Sequence, residues 1–424
     1  MIIGIDASRA NKTHRSGTEC YSFYIIRELA KLDDQNQYIL YVDKPLDFDL
    51  TNLCENDEEI KVEYDEKGYQ KIKSPYNNFK AKILKWPPSF LWTQGRLSLE
   101  MLLHRPDILF IPSHALPIIH PKKSIITIHD IGFERNKNLY LQKSIGPENK
   151  IVKKLLNLAV KLFSFGKYGA NVLDYMTWST IYGLKNASKI IAVSKFTKNE
   201  LIDIFSNKLN KNVFKKIQVI YNGFNHNLYK KINDYEKIGS ILAEYGIEPP
   251  FIFYNSQLDR KDNALTLVEA FGLIQEKNKD LKLVLTGDAG YGFDDLKYMV
   301  SEYQLDDKVI NTGWINKNDR PYIFSAATAF IFPSHYLGFA EPILKAMACG
   351  IPVAASDIPA IAEVAQDAVL YFNPNDPYSL ADKLNKIIAD DDLRNKLIIK
   401  GLKLADDYGW QKTAESTLQT IKSL

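Results

Sequence analysis

Polar residues in this 424-residue chain gather where short apolar runs end. Asp6, Ser8 and Arg9 follow "IIGIDA", His129 and Asp130 follow "SIITI", and Asn222 and Gly223 follow "KIQVIY". The run from Gln257 to Asn263, with Arg260 and Lys261, follows "FIFYN", and Gly287 and Asp288 follow "LKLVLT". A further stretch, "HYLGFAEPILKAMACGIPVAASD" (335–357), reads as a loop with Gly338, a short helix begun near Pro342, a Gly350 stop and a strand ending at Asp357. Cations beside a glycine turn that opens a helix are the groups that hold an anion, because the first N–H groups of a helix point at it. Each feature also has an ordinary reading. A His-Asp pair ending a strand commonly makes a turn, Gly338 suits any tight turn, and Glu341 and Lys345, four apart on one helix, can simply pair.

These residues need a scaffold that brings strand ends together. Short apolar runs alternating with amphipathic stretches predict parallel sheets covered by helices. Strands are expected at "IIGIDA", "YILYVD", "DILFIPS", "SIITIHD", "KIIAVS" and "KIQVIYNG", then again at "FIFYN", "LKLVLTG", "VINTGW", "AFIFPS", "IPVAAS" and "AVLYF". In "SGTECYSFYIIRELAKLD", apolar Tyr21, Tyr24, Ile25 and Leu29 set one helix face on a sheet. The polar residues 224–249, ending at Pro249-Pro250, read as the linker between two series. The expected organisation is an N-terminal domain over residues 1–230 and a C-terminal domain over 250–405. Two doubly wound sheets in tandem collect ligands at the carboxyl ends of their strands, which places the residues above in a cleft.

Composition narrows the function classes. Cys20, Cys54 and Cys349 share no metal-ligand spacing, so neither a disulfide framework nor a metal site is expected. The chain opens as a strand without a basic n-region, and no run reaches the roughly 18 apolar residues of a spanning helix. A cytoplasmic protein is the expectation. The overall charge of +3 conceals an asymmetry: residues 1–230 hold 34 Lys and Arg against 23 Asp and Glu, leaving 20 against 28 for the remainder. No nucleic-acid motif accompanies the basic half. Residues 150–169, "KIVKKLLNLAVKLFSFGKYG", carry five lysines and no acid. The Lys150–Tyr168 segment reads either as a peripheral helix on an anionic inner membrane surface, with Trp86 and Trp92 as added interfacial aromatics, or as a core helix with solvated lysines.

The segment "AFIFPSHYLGFAEPILKAMACGIPVAASDIPAIAEVAQDAVLYFNPND" resembles the donor-site segment of glycosyltransferase family 4. The likeness extends in order to "SIITIHDIGF", "IIAVSKFTKNEL", "KIQVIYNGF" and "ALTLVEAF". The resemblance implies the α/β GT-B fold, two Rossmann-like doubly wound domains facing a cleft, with residues 406–424 returning to the first domain. It implies a nucleotide-sugar donor as substrate, no metal or other cofactor, and hexose transfer with retention to a glycan or lipid-linked acceptor. Front-face chemistry of this kind needs no protein nucleophile. The leaving phosphate helps take the acceptor proton, and the protein positions groups and stabilises charge. By resemblance, His129 and Asp130 stand at the catalytic centre, and Arg260, Lys261, Leu337, Gly338, Phe339, Ala340 and Lys345 on the donor side. Asp6, Arg9 and Asn222 line the acceptor side of the cleft. A homo- or hetero-oligomer is compatible with this reading.

Three positions depart from the family pattern. Leu337 and Lys345 replace two glutamates eight positions apart, and an ammonium cannot accept the ribose hydrogen bonds that the second glutamate accepts. Asp262 falls where the aligned pattern has a phosphate-binding cation, unless the loop slips by one and leaves Arg260 and Lys261 to serve. Fold-defining residues such as Pro333, Gly350, Pro352 and Glu363 persist. Two functions therefore stand: a glycosyltransferase with an altered donor site, or a catalytically silent homologue acting as binding module or partner of an active enzyme.

Overall fold

The β-branched runs form buried parallel strands, because helices on both faces of a parallel sheet leave neither face in water. A computed structural model describes residues 1–54, 61–86, 90–140, 144–145, 150–163 and 166–424. The chain divides into two units. The first comprises Met1–Lys137, most of the chain on to Asn222, and Trp410–Leu424; the second is chiefly Gly223–Gly409.

The first unit is built on eight strands: β1 (Ile2–Asp6), β2 (Gln37–Val42), β3 (Gln70–Lys71), β4 (Phe79–Ile83), β5 (Ile108–Ile111), β6 (Ser124–Ile128), β7 (Lys189–Ala192) and β8 (Ile217–Val219). Their order is β3-β4-β2-β1-β5-β6-β7-β8, parallel except where β3 meets β4. The chain leaves β1 for β2 on one side and later returns to β5 on the other, so the order reverses between β1 and β5. At Gly4, in the middle of β1, a Cβ would meet the Tyr41 ring at 2.6 Å and Pro106 at 2.8 Å, so glycine is what lets this strand be crossed so closely. Ile3, Ile5, Ile25, Leu29 and Phe110 lie in the core with Trp410 and Ile421, and the Trp410–Lys422 helix packs on the Gly17–Leu32 helix.

The second unit holds β9 (Phe251–Asn255), β10 (Lys282–Thr286), β11 (Val309–Gly313), β12 (Ala329–Phe332), β13 (Val353–Ser356) and β14 (Leu370–Phe372), in the all-parallel order β11-β10-β9-β12-β13-β14. Here the order reverses between β9 and β12. Gly287, just past β10, has φ +134°, and a Cβ there would fall 1.9 Å from the Ser256 carbonyl oxygen, so only glycine lets β10 end against β9.

The structure corrects two expectations of organisation. Residues 224–249 are not a linker: they lie in the second unit and carry the helix Tyr235–Glu244. Asp234 caps that helix by accepting from Lys237 N at 3.0 Å, and its buried Ile238, Ile241 and Leu242 lie on the side that packs against the Arg320–Ala326 helix. A polar exposed face disguised it. Beyond residue 150 the chain therefore changes unit at 222–223 and 409–410, with residues 406–409 still in the second.

Candidate functional site

In the second unit, the loops after β9 and β12 meet at the reversal of strand order. Asn263 sits in the left-handed region (φ 60°, ψ 38°), which its short polar side chain tolerates. Its amide donates to the carbonyls of Pro333 (3.0 Å) and Pro374 (2.9 Å) and accepts from the Thr266 hydroxyl (3.0 Å). One side chain thus ties the ends of β9, β12 and β14. Asp262, almost fully buried, accepts from the Ser334 hydroxyl at 2.7 Å, and His335 N donates to Lys261 O at 2.9 Å. The carboxylate at position 262 is therefore a structural tie between loops rather than a group presented to a ligand.

The cations of that loop have partners of their own. Arg260 lies 2.7 Å from Asp295, its guanidinium 4.8 Å from the Tyr291 ring centroid, and Lys261 lies 3.6 Å from Asp262. Asp259 is the unusual acid here. Burial first, then the neighbouring Asp262 charge, pushes its carboxyl up to about 6, against the lowering effects of Lys261 and two backbone N–H groups.

The turn Leu337–Ala340 leads into the eight-residue helix Glu341–Ala348, with Pro342 in its first turn. Leu337, Phe339 and Ala340 are buried, and Phe339 meets Tyr408 edge to face at 5.8 Å. Lys345 lies 2.9 Å from Glu341 and 5.1 Å from the Tyr229 ring centroid; the two charged side chains are only 15% and 11% exposed. Lys345 thus spends its charge within the unit.

In the first unit the candidates follow β1, β6 and β8, of which β1 borders the reversal of strand order. His129 Nε2 lies 3.0 Å from the Pro112 carbonyl, an acceptor only, so Nε2 carries the proton. The ring meets Tyr21 edge-on at 4.8 Å, and His129 O accepts from the Thr197 hydroxyl at 3.3 Å. Ser194 caps the Lys195–Phe205 helix by accepting from Thr197 N. Asp130 accepts from Gly132 N at 3.1 Å, closing the turn that its ordinary reading expects. Asp6, buried, accepts from both the backbone and hydroxyl of Ser8. Burial raises its pKa, partly offset by Ser8 and Arg9. Arg9 is largely exposed, 3.5 Å from Glu19. The side-chain oxygen of the buried Asn222 has no hydrogen-bond partner.

Sequence reading missed three residues. His114 follows β5 as the other candidates follow their strands, and that position was the available signal. Burial, then the Arg9 charge, pushes its imidazole down to about 4, so it is neutral at pH 7, although the residue as a whole keeps some exposure. Gln94 and Tyr175 are joined at 3.3 Å across 81 residues, with no local signal. Trp86 and Trp92, considered as interfacial aromatics, use their indole N–H groups locally, on Phe90 O and Leu84 O. Residues 87–89 between them lie outside the described residues. Among the described residues no group of three or more His, Cys, Asp or Glu is placed to hold a metal, and no helix is long and apolar enough to cross a membrane.

Two parallel α/β units with ligand-type residues at the reversals of strand order define the GT-B fold. The whole chain superposes on sucrose-phosphate synthase from Thermosynechococcus elongatus with a TM-score of 0.69 at 17% identity, covering 100% of this chain and 98% of that one. It superposes likewise on Anabaena HepE, solved in complex with UDP-glucose, with a TM-score of 0.68 at 16% identity, covering 100% and 99%. Residues 241–404 match the family described as glycosyl transferases group 1. In sequence, the chain is 28% identical over 335 residues to O-antigen chain mannosyltransferase B of Escherichia coli, 78% of this chain and 84% of that protein.

Proposed function

We propose that the protein is a retaining glycosyltransferase that takes a hexose from a nucleotide sugar, held mainly by the second unit, and passes it to a glycan or lipid-linked acceptor. The observation that carries this reading is the lock between the β9 and β12 loops through Asn263 and Asp262–Ser334, which holds residues 333–335, just ahead of the Gly338 turn, at the β9/β12 reversal. A strand-order reversal is where such sheets take nucleotides, and a helix start supplies N–H groups to a diphosphate. This stretch lies within the residues matched to group 1. A relative named as a mannosyltransferase and a fold neighbour solved with UDP-glucose support the substrate class.

No step requires a protein nucleophile in this reading. The leaving diphosphate accepts the acceptor's proton as the new bond forms on the same face, and the protein contributes position and field. His129, with Nε2–H committed to Pro112, offers a fixed ring rather than a mobile acid. The donor site is an altered one: Lys345 is held by Glu341 and Leu337 is apolar, so ribose recognition passes to other groups. A silent homologue is not favoured, because the mannosyltransferase likeness spans most of the chain.

The Lys150–Phe163 helix is proposed as a peripheral contact with anionic lipid, since Val152 and Leu158 are exposed on it together with Lys154 and Lys161. Residues 164–165 of the expected segment lie outside the described residues. The donor assignment is tested by thermal shift against a panel of nucleotide sugars. A donor present at 100 times its Kd adds about 2.7 kcal/mol of stability. Absence of a shift with every nucleotide sugar would count against it.

A further inference from the structure

We infer that the face of the first unit at the amino ends of β5 and β6 docks an amphipathic helix of a partner protein, one whose aliphatic stripe is flanked by carboxylates. This surface lies apart from the donor and acceptor residues, which follow the carboxyl ends of their strands.

Its apolar part comes from two segments that the fold ties together. The Ser98–Leu103 helix exposes Leu99, Leu102 and Leu103, at 45%, 56% and 60%, and the loop ahead of β6 exposes Ile118 and Ile119, at 52% and 39%. Ile119 N donates to Ser98 Oγ at 3.4 Å and Ile118 N to Gln94 Oε1 at 3.1 Å, so the loop runs beside the helix. Leucines at 99, 102 and 103 have the i, i+3, i+4 spacing of a ridge against which a second helix packs. Leu97 and Met101, at intervening positions, already face the core.

The rim is cationic. Arg105 stands two residues past the helix, Lys122 and Lys123 lead into β6, and all three are exposed. Because β5 and β6 are parallel and Leu109 N donates to Lys123 O at 3.0 Å, these lead-ins share one end of the sheet. The acids between residues 98 and 124 are Glu100 and Asp107. Glu100 is buried against Lys82 and Arg96, and Asp107 accepts from Ile2 N at 2.7 Å. The exposed face thus sets aliphatic side chains beside positive charge, and a helix with carboxylates flanking an aliphatic stripe complements it.

Two other occupants fit less well. A second copy related by a two-fold axis would set Arg105, Lys122 and Lys123 against the same cations. A lipid surface is commonly met by exposed Trp and Tyr, whereas the five exposed apolar side chains here are Leu and Ile. The neighbouring Tyr182 donates its hydroxyl to Ile118 O at 2.7 Å. Position agrees with a partner protein. Substrates gather at the carboxyl ends of such sheets, and the five residues of β6 put roughly 15 Å between that end and this one. A partner held here leaves the catalytic end open.

The test uses the full chain and two synthetic amphipathic peptides of about twenty residues, with the same leucine positions and either glutamates or lysines flanking them. Binding is read by fluorescence anisotropy at low and at physiological salt. We expect the glutamate peptide to bind at least about tenfold more tightly than the lysine peptide, and to weaken as salt rises. Leu102→Ser with Leu103→Ser should weaken it about tenfold, and Lys122→Glu with Lys123→Glu should reverse the preference between the peptides. These side chains are exposed, so both variants should melt near wild type and bind nucleotide sugars unchanged. No binding of either peptide, equal binding of both, or wild-type affinity in the double-serine variant would overturn the inference. So would co-sedimentation with anionic vesicles, or self-association in sedimentation velocity, that is lost in the double-serine variant, since lipid or a second copy would then be the occupant. Failure of nucleotide sugars to bind while the glutamate peptide binds would count against the glycosyltransferase reading and leave this surface standing.

Discussion

Lys345 is clasped by Glu341, one turn earlier on the same helix: the ammonium lies 2.9 Å from the carboxylate, and both side chains are largely buried. The pair closes on Tyr229, which lies in the same unit. A lysine so placed satisfies the helix before it meets any ligand. Lys345→Glu alone puts two carboxylates four residues apart with little solvent, and should cost about 1–3 kcal/mol. Adding Glu341→Gln should recover most of that loss. Denaturant melts of the single and double variants check this, and equal stability of Lys345→Glu and wild type would show the pair to be incidental.

Asn263 combines a left-handed backbone with three hydrogen bonds. Asn263→Gly should lose only the bonds, whereas Asn263→Ala loses the bonds and adds about 1–2 kcal/mol of backbone strain. Calorimetric unfolding should rank wild type above the glycine variant and the glycine variant above the alanine variant. Both variants should also weaken nucleotide binding, because the β9 and β12 loops lose their tie.

Asp259 and His114 give the two units opposite pH responses. Asp259 has its folded pKa raised to about 6 from 3.8, so between roughly pH 4 and 6 the folded state holds the extra proton and stability falls as pH rises. Asp259→Asn should stabilise the second unit at pH 7.5 by about 1 kcal/mol, less than full linkage because the residue keeps solvent contact, and should do little at pH 4. His114 has its folded pKa depressed to about 4 from 6.5, so the unfolded state holds the extra proton and stability is lost as pH falls through that window. His114→Gln should flatten the acid-side loss of the first unit. Melting curves from pH 4 to 8 that show the reverse slopes would contradict both assignments.

The basic helix Lys150–Phe163 makes a separate claim. The protein should co-sediment with vesicles containing anionic phospholipid and be released as salt rises, since exposed charges are screened within about 8 Å at physiological ionic strength. Replacing Lys153, Lys154 and Lys161 by Glu should abolish sedimentation. Equal binding to neutral vesicles, or none to anionic ones, would contradict an electrostatic contact of this helix with anionic lipid.

Much of the scaffold was legible because buried parallel strands are written as apolar runs. All twelve expected strands form, and the candidates after β1, β9 and β12 lie beside the reversals of strand order, whereas His129 and Asn222 follow β6 and the edge strand β8. The strands that escaped, β3 and β4, lie at the edge of the first sheet. In "FKAKI", buried Phe79 and Ala81 alternate with Lys80 and Lys82, and the lysines mask the pattern. The pairing of Glu341 with Lys345 was readable from spacing alone, but its near-complete burial was not. Arg260 shows the opposite limit: its partner Asp295 and the Tyr291 ring come from the far side of a loop, so the sequence offered the cation without its engagement. The Gln94–Tyr175 bond spans 81 residues and exists only in the folded chain.

Release of nucleoside diphosphate from a panel of nucleotide sugars by the purified protein tests the central claim most directly. We expect one donor, or a small related group, to be turned over above background. Gly338→Val, in the turn before the Glu341–Ala348 helix, should lower that turnover by about 10²-fold or more, the scale expected when electrostatic stabilisers of a leaving group are misplaced. Failure of every nucleotide sugar to yield diphosphate, with and without glycan acceptors, would contradict the assignment of this protein as a glycosyltransferase.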